Sequence, residues 1–66
     1  MKTRIKELRK ERKLSQEELA LAVGTTRQTI TSIEVEKYVA SLQLAYKIAK
    51  YFGCTIEEVF DLTEVE

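Results

Sequence analysis

The sequence predicts an all-α fold, with five short helices packed into one compact domain over residues 1–66. Three observations predict it. The chain has no proline and only two glycines, so little interrupts helix formation. Ser15-x-x-Glu18 and Thr55-x-x-Glu58 each have the form of a reciprocal capping box, which marks a helix start. Apolar residues then recur at spacings of three and four, the period of one helix face.

The first helix is expected over roughly Arg4 to Arg12, with Thr3 as its cap. Glu7 falls in its first turn, and Arg12 and Lys13 at its end, the charge order that the helix dipole favours. Ile5, Leu8 and the aliphatic stem of Arg12 make its inner stripe. Arg9 borders that stripe, where an arginine needs a partner or must reach back to water. The second helix starts at Ser15, turns Leu19, Ala20 and Val23 inward, and stops at Gly24, which tolerates the left-handed conformation. Thr26 caps the third helix, which buries Ile30 and Ile33. The connector 35–40 has no helical period, and its Val35, Tyr38 and Val39 are expected to pack. Ser41 caps the fourth helix, whose stripe Leu42, Ala45, Ile48, Ala49 and Phe52 ends at Gly53. Leu44, Tyr46 and Tyr51 widen that apolar arc beyond what one core requires. Thr55 caps the last helix, with Ile56, Val59 and Phe60 as its apolar residues, and Asp61 to Glu66 form a short tail.

Composition bounds the class. With 44% hydrophobic and 33% charged residues, the chain reads as a soluble globular domain. A chain of 66 residues buries only about 60% of its unfolded surface, so its stability margin is small. No apolar run reaches membrane-spanning length and no signal-peptide pattern opens the chain. The single Cys54 allows no internal disulfide, and a cytoplasmic location is expected. The absence of histidine and of any metal-ligand cluster leaves an enzyme reading without support, and no cofactor or small-molecule ligand is expected. Net charge is zero, but residues 1–33 hold eight Lys/Arg against four Glu, whereas residues 34–66 hold three Lys against seven Asp/Glu. One half is therefore basic and the other acidic, and a local positive face can bind phosphates.

The third helix carries the functional signal. Its outward residues, Arg27, Gln28, Thr31 and Ser32, comprise one long cation, one amide and two hydroxyls, with no acid among them. Arginine pairs with guanine O6 and N7, glutamine with adenine N6 and N7, and hydroxyls with bases or phosphates. The same residues would also make an ordinary solvated face. The preceding helix and the Gly24 turn favour two helices arranged to enter a DNA groove.

The run Ser15 to Glu34 resembles the helix-turn-helix of the phage repressor and Cro family, and the resemblance extends from Arg4-Ile5-Lys6-Glu7-Leu8-Arg9 to Ile56-Glu57-Glu58-Val59-Phe60. Leu14-Ser15-Gln16-Glu17-Glu18-Leu19-Ala20 and Arg27-Gln28-Thr29-Ile30 are its most specific segments. The chain is most similar to the short stand-alone prokaryotic regulators of that family. The resemblance implies a helix-turn-helix at residues 16–34, in which Thr26, Arg27, Gln28 and Ser32 read bases. It further implies that Gln16 holds a phosphate and that Arg9 and Glu34 form a salt bridge. Thr31 and Lys37 are further expected phosphate contacts. Val35-Glu36 stand where many members carry Asn-Gly, and Val39-Ala40 where many carry Asn-Pro.

The sequence thus leads to a repressor-like domain that binds double-stranded DNA as a homodimer. The dimer is expected to form through residues 51–66, with Tyr51, Phe60, Leu62 and Val65 at its interface. The alternative from the same fold is a protein-binding module, similar to an antitoxin, with little DNA specificity. The pairing of Arg27 with Gln28 favours the first.

Overall fold

The computed structural model describes residues 1–63. Five helices follow in order: α1 (Ile5–Glu11), α2 (Gln16–Val23), α3 (Arg27–Glu34), α4 (Leu42–Tyr51) and α5 (Ile56–Val59). α2 packs on α3 and α4, and α4 packs on α5.

Local chemistry sets most boundaries. Ser15 Oγ accepts from the Glu18 N–H at 3.0 Å, and Glu18 Oε1 accepts from the Ser15 N–H at 2.9 Å. Thr55 and Glu58 repeat this box at the start of α5, and Thr26 and Ser41 cap α3 and α4 through single bonds to Thr29 N and Leu44 N. Each cap satisfies backbone donors that the first helical turn leaves free. Gly24 and Gly53 close α2 and α4 with φ of 76° and 70°. α1 begins one residue later than expected. Arg4 occupies its cap position without a side-chain cap bond, and the Thr3 hydroxyl accepts from Ile5 N–H at 3.3 Å.

Two helix ends without glycine use the same geometry. After α3, the Glu36 N–H bonds the Ile33 carbonyl and the Lys37 N–H bonds the Ser32 carbonyl. This is the paired closure that requires a left-handed residue, and Glu36 adopts φ of 65° to make it. Lys13 does the same after α1 at φ of 54°. A side chain with a Cβ costs about 1–2 kcal/mol in that conformation. Glu36 thus adopts, under strain, a conformation that glycine would take without a Cβ penalty.

The core joins Ile5, Leu19, Val23, Ile30, Ile33, Ile48, Phe52, Val59 and Phe60 with three alanines. Three expectations about burial fail. Leu42 keeps the period of the α4 stripe but is 78% exposed, because it lies in the first turn, beyond the edge of the core. Val35, Tyr38 and Val39 of the connector are exposed rather than packed. Phe60, expected on an interface, is 3% exposed.

Chain-end pairing explains Phe60. The segment after α5 runs antiparallel to the chain start: Arg4 N–H bonds Val59 O at 2.8 Å, and Asp61 N–H bonds Lys2 O at 2.9 Å. Thr3 and Phe60 form the bridge between them, and Met1 and Leu62 pack against the core from the two ends. Val65 lies outside the described residues.

Candidate nucleic-acid interface

The helix-turn-helix presents one polar face along α3. Arg27 and Gln28 stand in its first turn, exposed and without side-chain hydrogen bonds to the described residues. Thr31 and Ser32 follow one turn later and are half-buried. No acidic residue lies in the first turn of α3, so the positive end of its dipole is not neutralised by its own side chains. The Thr26 hydroxyl shares a hydrogen bond of 2.9 Å with the Thr29 hydroxyl while it caps the helix. Thr26, Gln28, Thr29, Ser32, Lys37 and Tyr38 line a shallow depression of about 260 Å³. Tyr38 is the residue here that sequence reasoning missed. Its apolar ring suggests packing, yet it is half exposed beside Gln28 and Ser32.

A network behind this face holds α1, α2 and α3 together. Arg9 Nε donates to Glu34 Oε2 at 2.6 Å and Arg9 Nη2 to Glu34 Oε1 at 3.0 Å, a two-pronged ion pair. Arg9 Nη1 also donates to the Leu14 carbonyl at 2.9 Å, which ties the α1–α2 turn to the same guanidinium. The side chains of Arg9 and Glu34 are 11% and 5% exposed. Burial pushes the Glu34 carboxyl up, but hydrogen bonds from Arg9 and Gln16 and the charges of Arg9 and Lys6 outweigh it. The net effect holds the group below its ordinary value.

Gln16 extends the network toward the interface. Its Nε2 donates to Glu34 Oε1 at 3.0 Å, and its Oε1 accepts from the Thr31 hydroxyl at 2.9 Å. A carboxylate can only accept, so Glu34 dictates which way the Gln16 amide turns. One Nε2 hydrogen of Gln16 remains for a phosphate. The Thr31 proton is already committed inside the protein, so a phosphate would have to displace Gln16 to receive it. The exposed Lys37 ammonium lies at the rim, one residue beyond the strained Glu36.

The expected interface residues do not share one surface. Phe60 belongs to the core. Leu62 is half-buried near the chain start, whereas Tyr51 lies at the end of α4, with the Arg12 guanidinium 5.9 Å from its ring centre. Arg12 also donates to the Tyr51 and Phe52 carbonyls at 3.2 and 2.9 Å, fastening α1 to the end of α4.

Two short helices at a glycine turn, with an acid-free polar face on the second, define the class: a small helix-turn-helix transcription regulator with a DNA-binding fold. The chain belongs to the helix-turn-helix family of the repressor and Cro type, whose family model matches residues 5–59. It is 52% identical over its full length to an uncharacterized HTH-type transcriptional regulator of Archaeoglobus fulgidus, covering 93% of that protein. It is 34% identical to the cryptic phage CTXphi transcriptional repressor RstR of Vibrio cholerae, covering 94% of this chain and 56% of RstR. Among solved structures, the SinR protein/SinI protein complex contains a chain that superposes with a TM-score of 0.77 at 28% identity, over 96% of this chain and 63% of that one. The family and these relatives are regulators, not enzymes. Among the described residues, no helix is long and apolar enough to cross a membrane.

Proposed function

We propose that this chain is a homodimeric, sequence-specific repressor that reads an approximately palindromic operator through the major groove. The observation that carries the reading is the free, exposed pair Arg27 and Gln28 in the first turn of α3. Both can form two-pronged hydrogen bonds with purine edges, and neither serves the fold. Thr26 and Ser32 complete the base-reading set, and Gln16 and Lys37 hold phosphates on either side, with Thr31 acting through Gln16. Two copies related by a two-fold axis would place their α3 helices about 34 Å apart, in successive major grooves. The copies pair through the carboxy-terminal segment that carries Leu62, away from the Tyr51 end of α4. Repression follows if the bound dimer excludes other proteins from the operator, and the likeness to RstR supports that direction of control. A DNA partner places the chain in the cytoplasm.

The test is selection on random DNA duplexes at about physiological salt, with sedimentation of the same preparation. The reading expects an enriched two-fold motif bound by a dimer. Binding without an enriched motif, lost steeply as salt rises, would instead indicate a protein-binding module with only phosphate attraction.

A further inference from the structure

A second surface lies between the carboxy-terminal half of α2 and α4. Leu21, Tyr46 and Tyr51 wall an open groove of about 580 Å³, floored by Val23 and Gly24 and edged by Lys47 and Lys50. No α3 residue lines it, although Gly24 and Lys47 also border a neighbouring depression that reaches Thr29. Leu21 is 76% exposed and Tyr46 55% exposed. Core packing does not account for them, and large apolar residues grouped around one concavity mark an interaction site.

Two features say what fits there. The walls have neighbours: the Lys50 ammonium sits 5.7 Å from the Tyr46 ring centre, and the Tyr51 ring lies 5.9 Å from the Arg12 guanidinium and edge-on to Phe52 at 5.4 Å. The charge is also one-sided. Residues 34–66 contain three lysines and seven acids. Two of those lysines edge this groove, and no carboxylate among the described residues lines it. Within the acid-rich second half of the chain, two lysines thus stand beside an apolar trough.

We propose that this groove docks an acidic amphipathic helix of a partner protein. Its large apolar side chains would seat against Leu21, Tyr46 and Tyr51, with its carboxylates over Lys47 and Lys50. This is the helix-in-groove mode, with charge fixing the orientation.

The probe is a synthetic helical peptide of leucine, alanine and glutamate with leucines at helical spacing, compared with the same peptide carrying lysine for glutamate. Both are titrated into the isotope-labelled protein at about physiological salt. The acidic peptide should shift the amide signals of residues 21–24 and 46–51, and the basic peptide should not. The double variant Lys47→Glu with Lys50→Glu, its fold checked by circular dichroism, should bind the acidic peptide at least about tenfold more weakly. Three results would each overturn the proposal. Shifts centred on residues 27–32 would mean that the peptide only mimics the phosphates of DNA. Equal response to both peptides would mean unselective apolar sticking. The same shifts on raising protein concentration without peptide would assign the groove to a second copy of the chain.

Discussion

Replacing Glu34 by alanine tests how the helix-turn-helix is fastened to α1. The substitution removes the acceptor of two Arg9 bonds, at 2.6 and 3.0 Å, and of the Gln16 bond at 3.0 Å. Arg9 would then retain its Leu14 bond but lose its counter-charge, in a position where its side chain is 11% exposed. Surface ion pairs contribute about 0–1 kcal/mol, whereas stranding one member of a buried pair costs about 3–5 kcal/mol. The burial on both sides places this pair in the second group. A domain of this length has total stability on the order of 5 kcal/mol, so Glu34→Ala should leave it with only about 0–2 kcal/mol. At about 4–8 °C per kcal/mol, the midpoint should fall by at least about 10 °C. Thermal melting followed by circular dichroism reads the effect. A double substitution, Arg9→Met with Glu34→Leu, should restore most of the loss, because it removes the stranded charge together with its partner. A drop of less than about 5 °C for Glu34→Ala would refute the reasoning, since the pair would then be contributing no more than an exposed one.

The same carboxylate gives a pH dependence. Its pKa is lower in the folded than in the unfolded chain, so its contribution is complete above the ordinary value of 4.5 and is lost as pH falls through the folded value. Melting curves of the wild type and Glu34→Gln should therefore converge as pH drops below about 4.5. Glu36→Gly should raise stability by about 1 kcal/mol, because glycine adopts φ of 65° without a Cβ clash; an unchanged or lower midpoint would remove the strain argument. Phe60→Ala should cost about 3–5 kcal/mol as a core truncation. Leu62→Asp, measured at a temperature where its helical signal matches wild type, should shift sedimentation toward monomer, and a wild type monomeric at high concentration would eliminate the proposed dimer.

Signals that act within one helical turn were legible in the sequence. The Ser15–Glu18 and Thr55–Glu58 boxes, the Thr26 and Ser41 caps and the Gly24 and Gly53 stops each involve residues a few positions apart, and they set the helix boundaries. Arg9 could be read as needing a partner because its position beside Leu8 put a charge at the core edge. What depended on distant backbone was not legible. Phe60 looked surplus to the core because nothing in its own segment announces the pairing of Thr3 with residue 60. Leu42 had the correct period but no neighbouring element to cover it. Glu36 and Lys13 carry no glycine signal, so their left-handed turns were hidden. At the interface, residue types showed which side of α3 is polar. They did not show that Gln16 and Thr31 are already bonded to each other, or that Tyr38 turns toward the same face.

The central claim is that the first turn of α3 reads bases while Gln16 only positions the protein. The most direct measurement repeats the random-duplex selection with Gln28→Ala, its melting midpoint matched to wild type. Gln28 is exposed and its side chain bonds to none of the described residues, so stability should be untouched. Loss of one good base contact should weaken the preferred operator by about 1–3 kcal/mol and erase preference at one base pair of each half-site, leaving the rest of the motif in place. Gln16→Ala, run alongside, should weaken all sequences alike. A Gln28→Ala motif identical to that of the wild type at every position would contradict the account, because α3 would then not be reading the DNA through the residue best placed to do so.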